Sequence, residues 1–207
     1  MALPIFYENV VIGHKWERIV IAIIFLGFFF GCGGLRYSDL SPEAKDFRPQ
    51  RIAVLPADAR MFPEAKGSVD RLFAEALGER KWFASVVGGE EIGRRLERDG
   101  QLRQAVEEYL TKLDKVSFSD SALSCRIGEL TGAEAVVLVR VDYWNYTTEK
   151  DTKVGKVGLS LRLIDAATGK IVWTAGHHRA SEYRIIKPDL PDVARDLIRE
   201  MIGYMPH

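Results

Sequence analysis

Few residues of this 207-residue chain combine a reactive type with a useful spacing. His177 and His178 are neighbours in a segment patterned as a strand, so their rings point to opposite faces and cannot share one metal ion. No set of Cys and carboxylates stands near them at ligand spacing. Thr168-Gly169-Lys170 has the lysine of a phosphate loop. However, no glycine sits five residues before Gly169, and Ile171 stands where the required Ser or Thr would be, so the tripeptide reads as a hairpin turn. No Gly-x-Ser-x-Gly, His-Glu-x-x-His or Cys–His nucleophile pairing occurs. The chain is therefore expected to be no enzyme, with no catalytic residue, no metal and no cofactor; a hydrolase whose site carries no linear signal is the competing reading.

Two stretches remain. Tyr143-Trp144-Asn145-Tyr146 is the one local aromatic cluster, and Trp and Tyr concentrate binding energy at protein contacts. The other is Cys32, which closes a run of twelve apolar residues, Ile19–Phe30, preceded by Lys15 and Arg18. A positive flank, a short apolar core and a small residue at the break are the order of a secretory signal peptide, and the run is shorter than the roughly 20 residues that span a bilayer. With Gly31 before it, Cys32 resembles the lipobox cysteine of a bacterial lipoprotein, although Phe29 and Phe30 replace an aliphatic and a small residue. The resemblance implies cleavage before Cys32, lipidation of its thiol and membrane attachment. An uncleaved amino-terminal anchor with an unmodified Cys32 is the alternative.

These features divide the chain into a signal peptide (1–31), a lipidated tether (32–50) and a single α/β domain (51–207). The tether reading rests on Gly33, Gly34, Pro42, Pro49 and scattered charge without apolar periodicity. The 18 residues between Cys32 and Arg51 reach about 60 Å when extended. The whole chain has 29 basic and 29 acidic residues, and residues 1–31 remove two of each sign (Lys15, Arg18, Glu8 and Glu17). A neutral domain lacks the basic surface that nucleic acid requires. Cys125, in an apolar-patterned helix, is expected to be a buried inert thiol without a disulfide.

Arg51–Pro56 has the continuous apolar character of a strand buried on both faces. Val69, Leu72, Phe73, Ala76 and Leu77 draw one stripe along a helix over 68–82, and Phe83–Val87 is a second short strand before a helix over 90–98. Helices over 102–113 and 120–130 read as an insertion. The period then changes to two: Val137, Val139, Val141 and Tyr143 alternate with Arg140, Asp142 and Trp144, and Val157, Leu159, Leu161 and Leu163 alternate with Gly158, Ser160 and Arg162. With a third strand from Ile171, these predict an antiparallel meander, followed by a closing helix over 188–205. The expected fold is α+β, a mainly antiparallel sheet with a carboxy-terminal three-strand meander and helices packed on it. Its polar face would present Trp144, Tyr146, Arg140 and Arg162 to a partner, unless the insertion helices fold over Trp144.

Thr131–Leu138 followed by Leu163-Ile164-Asp165-Ala166-Ala167-Thr168-Gly169-Lys170-Ile171-Val172-Trp173 resembles a group of bacterial envelope lipoproteins. The group comprises CsgG-type secretion lipoproteins, LpoB-type activators of peptidoglycan synthases and proteins with the α/β unit of the TolB amino-terminal domain. The likeness covers about Arg51 to Tyr204. It implies a non-enzymatic envelope protein acting in assembly, secretion or scaffolding through contacts with envelope proteins or with its own copies. The alternative it implies is a regulatory activator of an envelope enzyme such as a peptidoglycan synthase. The chain lacks the spare alternating segments of about ten residues that line a membrane barrel, so no pore is expected from it alone. Gly33 stands where an inner-membrane retention signal would place Asp, which points to the periplasmic side of an outer membrane.

Mass spectrometry of the mature amino terminus should show a lipid-modified Cys32 as the first residue, and Cys32→Ser should abolish the modification. An unmodified peptide reading through Phe30-Gly31-Cys32 would refute the assignment.

Overall fold

A computed structural model describes residues 35–207 except 117 and 118; the expected signal peptide and Cys32 lie outside the described residues. Six strands form one sheet: β1 (Tyr37–Leu40), β2 (Arg51–Val54), β3 (Ser85–Val87), β4 (Ala135–Glu149), β5 (Thr152–Asp165) and β6 (Ile171–Glu182), in the order β1-β6-β5-β4-β2-β3. Among the described residues five α-helices accompany them: α1 (Lys66–Arg80), α2 (Gly89–Arg98), α3 (Gly100–Val116), α4 (Ser121–Thr131) and α5 (Leu190–Ile202). The strands β4, β5 and β6 pair antiparallel in sequence order. By contrast, β2 runs parallel to both β3 and β4, so the sheet is mixed where a mainly antiparallel one was expected.

The connections explain the layers. From β2 the chain crosses through α1 to β3, then returns through α2, α3 and α4 to β4 on the other side of β2. Parallel crossovers are right-handed, so two crossings in opposite directions place their helices on opposite faces. The first face carries α1 and α5, whose Leu72, Phe73, Leu197 and Ile198 share a core with Val137, Val139, Leu161 and Leu163. The second face carries the helices taken from sequence as an insertion. They are a full layer: Leu102, Val106, Tyr109 and Ile127 form a second core with Val136, Leu138 and Ile164. Each of these large apolar side chains contributes about 1.5–3 kcal/mol by leaving water. At the start of α4, Asp120 accepts hydrogen bonds from the backbone N–H of Ala122 and Leu123, and Gly132 ends the helix with φ 72°.

Two expectations need correction. Residues 35–50 are not a free tether, because β1 pairs antiparallel with β6 and satisfies its outer edge. The Trp173 indole donates to Ser38 Oγ at 2.9 Å, and Ala44 is buried. The strand fits because Gly176 has no side chain: a Cβ there would lie 2.2 Å from the Tyr37 ring. The second correction concerns Trp144. The β4–β5 register slips between Val141 and Tyr143, and the extra residue of this bulge reverses which face each later side chain meets. Trp144 therefore joins the first core at 6% exposure, and Tyr143 turns onto the polar second face. The insertion helices do not hide Trp144, since they cover the other face.

Trp144→Ala should destabilise the protein by about 3–5 kcal/mol, the range for deleting a buried large aromatic, seen as a lower urea midpoint. Tyr146→Ala, which removes an exposed ring with one hydrogen bond to Pro188, should cost no more than about 1.5 kcal/mol. Equal losses would contradict the assignment of Trp144 to the core.

Candidate functional site

On the second face the helical cover stops short of the strands' far ends. Arg140 of β4 and Ser160 of β5 lie directly opposite each other, Arg162 lies opposite Leu138 and Thr174, and Gly176 of β6 carries the Tyr37 ring. The segment after β2 continues the pairing along β4: Asp58 N–H donates to Val139 O at 2.8 Å, and Val141 N–H donates to Asp58 O at 2.9 Å. Arg60 then grips Asp58 through both carboxylate oxygens, at 2.8 and 2.7 Å, and reaches Asp114 of α3 at 2.6 Å. This fork ties loop to helix. Between loop, helix and sheet lies a groove of about 750 Å³, floored by Leu138 and Leu110 and lined by Arg140, Arg162, Lys66 and Glu107. A second depression of about 550 Å³ continues it past Asp142 and Tyr143 to His178, with Arg140, Ser160 and Tyr37 common to both.

The polar groups of this face fall into two classes. Some are tightly engaged: Ser160 Oγ donates to Asp142 at 2.5 Å, and Lys156 pairs with Glu149 at 2.6 Å while standing 4.5 Å from the centre of the Tyr143 ring. Others are not. Arg140 reaches Asp142 only at 3.7 Å, and Arg162, half-buried, makes no hydrogen bond or ion pair among the described residues. His178 stands edge-on to Tyr143 at 6.3 Å, and its Nδ1 is buried without a hydrogen-bond partner among the described residues. Burial first, then the charges of Lys156, His177 and Arg36, push its pKa below the ordinary histidine value. The neighbouring His177 turns the other way and lies 3.6 Å from Glu200 of α5. Among the described residues no group of three or more His, Cys, Asp or Glu is placed to hold a metal ion.

Of the residues named from sequence as a contact surface, Arg140 and Arg162 share the groove. The structure does not bring Trp144 and Tyr146 to it. Trp144 is in the first core, and Tyr146 donates its hydroxyl to Pro188 O at 2.8 Å beside Tyr183 and Lys187. Cys125 is half-buried on α4 instead of fully buried, and its thiol is free. The clamp residues Asp58, Arg60 and Asp114 escaped the sequence reading. Ala57-Asp58-Ala59-Arg60 has no apolar period, and its partner Asp114 is 54 positions beyond Arg60.

No family model matches the chain, and no curated protein matches it in sequence. In fold it is similar to PelC from Paraburkholderia phytofirmans, solved as a dodecamer: 18% identity over 83% of this chain and 98% of that one, with a TM-score of 0.52. A single-substitution variant of that protein, also a dodecamer, gives 21% identity over 82% and 96%, with a TM-score of 0.52. The lipoprotein GNA1162 from Neisseria meningitidis gives 14% identity over 76% of this chain and all of that one, with a TM-score of 0.46. At these identities the likeness to PelC shows a shared fold and carries nothing about the groove.

The clamp makes a prediction about acid. The Arg60 hydrogen bond, opposed in part by burial, holds the Asp58 carboxyl below its ordinary value of 3.8. A carboxyl depressed in the folded state contributes its stability in full above the unfolded value and loses it as the pH falls through the folded one. The stability gap between wild type and Asp58→Asn should therefore be open at neutral pH and close as the pH falls below 3.8. Since the pair is solvent-screened, the gap should be modest and should shrink in high salt. Urea midpoints across this range check it; a gap that widens in acid would contradict the clamp.

Proposed function

We propose that this chain is a non-enzymatic lipoprotein of the bacterial cell envelope that works in assembly, secretion or scaffolding through protein contacts, with its own copies among the partners. The observation that carries the reading is the connection from β6 to α5, where Ile185 and Ile186 stand side by side at 91% and 84% exposure. Two large aliphatic side chains left in water forgo about 1.5–3 kcal/mol each, which a partner surface recovers. The fold shared with PelC, a protein solved as a dodecamer, supports assembly from copies. Lipid on Cys32 would hold those copies on one membrane surface, raising their effective concentration. Gly33 after Cys32 supports the periplasmic side of the outer membrane, and the Asp165–Trp173 hairpin supports kinship with the CsgG- and LpoB-type lipoproteins.

Light scattering on the purified full chain in non-ionic detergent tests this. The wild type should be a defined multimer across the micromolar range. Ile185→Asp with Ile186→Asp should weaken association at least tenfold, about 1.4 kcal/mol, with an unchanged unfolding midpoint. A monomeric wild type, or a double variant that assembles as well as the wild type, would overturn the reading.

A further inference from the structure

The groove on the second face is short of anions for the cations it holds. Four cations line it, Arg60, Lys66, Arg140 and Arg162, against the carboxylates of Asp58, Asp114 and Glu107. Arg60 is ion-paired with both Asp58 and Asp114, and the Asp58 charge is shared with the nearby Arg140. Asp142, next to the groove, already accepts the Ser160 hydroxyl and lies 3.7 Å from Arg140. Arg162, in the middle of β5 between Leu138 and Thr174, has no carboxylate partner among the described residues; its charge is felt by the Tyr109 hydroxyl. Arg140 and Arg162 are diagonal neighbours on one face of paired strands, a relation that sets such residues about 7–8 Å apart. A single group can therefore be reached by both. Two cations on diagonal neighbours of one sheet face repel each other, and an oxyanion between them turns that repulsion into attraction. The planar guanidinium fork matches the paired oxygens of a carboxylate or phosphate. The floor beneath is apolar through Leu138 and Leu110, and the volume, about 750 Å³, falls within the range of small-molecule sites.

We propose that this groove binds an organic anion, its carboxylate or phosphate oxygens held between Arg162 and Arg140 and its apolar part laid on Leu110 and Leu138. The clamp of Arg60 on Asp58 and Asp114 keeps those two carboxylates away from the bound group and fixes one wall. The anion is either a soluble molecule or, resting on the lipoprotein reading above, the headgroup of an acidic membrane lipid; the oxyanion chemistry is the same. The site is separate from Ile185 and Ile186 and does not rest on self-assembly.

Titration of the full chain in non-ionic detergent with inorganic phosphate, at constant ionic strength, tests the site through the Nε–H signals of its arginines. Saturable binding at one site is expected. Arg162→Gln and Arg140→Gln should each weaken it at least tenfold, and Arg162→Lys should weaken it less than Arg162→Gln. Arg71→Gln, on the exposed side of α1, should leave it unchanged. Doping the micelles with phosphatidylglycerol, but not phosphatidylcholine, should lower the apparent phosphate affinity if a headgroup is the natural occupant and leave it unchanged if a soluble anion is; either result upholds the site. Non-saturable shifts, or an equal loss in the Arg71 variant, would overturn it, as would full binding in Arg162→Gln. Melting curves without phosphate guard against misfolding: the Arg162→Gln variant should unfold no earlier than wild type.

Discussion

The structure depends on how β4 is buried. Its first five residues, Ala135–Val139, are at most 9% exposed, because they are walled by helices on both faces and by β2 and β5 on both edges. A strand so enclosed has no water to satisfy its backbone, so every N–H and C=O must find a ladder partner. Parallel pairing to β2 and antiparallel pairing to β5 supply them. The same requirement draws in the segment after β2, whose Leu55 and Asp58 continue the ladder along β4 once β2 itself has ended. From Arg140 onward the second face loses its helices and the side chains change character at once. The groove lies at this boundary between double and single cover.

The bulge after Val141 keeps the two halves of β4 compatible. Without it, strict alternation would send Trp144 to the open polar face and Tyr143 into the first core. With it, the larger apolar indole fills the core beside Val157 and Leu190, and the tyrosine lies over Gly158, where any Cβ would come within 2.4 Å of its ring. Gly158 and Gly176 thus act as paired vacancies on the second face, one taken by Tyr143 and the other by Tyr37. Both aromatic rings sit over glycines of the sheet there, which leaves the charged side chains between them to define the opening.

What was readable from the sequence follows from how local each interaction is. The alternation of Val157–Leu163, the helical stripe of Val69–Leu77 and the Asp120 to Gly132 helix bounds are each set by neighbours within a few positions, and each formed as expected. Parallel pairing of Ile52 with Ala135 joins residues far apart in the chain and leaves no periodic trace. Helices α3 and α4 look like an insertion from sequence because the alternation names one apolar face only, whereas Val136, Leu138 and Ile164, the residues these helices cover, lie on the other face. Tyr37-Ser38-Asp39-Leu40 has no apolar alternation, since an edge strand lying in water needs none; only Gly176, on another strand, shows why it docks. The bulge is equally silent, being a backbone adjustment that a period-two reading passes over. In the groove, Arg140 and Arg162 were legible as same-face neighbours, and the Asp58–Arg60–Asp114 clamp was not.

Surface ion pairs contribute little to a fold of this kind, and the pairs of this domain lie largely on half-exposed or exposed side chains. Stability is carried by the two apolar cores, so the charges of the second face are not explained by the requirement to fold. Position 162 illustrates this. A leucine there would face Leu138 and extend the second core toward Leu110, adding apolar burial, whereas Arg162 forms no ion pair among the described residues and stands near another cation. Natural sequences depart from the locally stabilising choice chiefly where function demands it. An arginine without an ion pair among the described residues, in the middle strand of the meander, departs from the locally stabilising choice in this way.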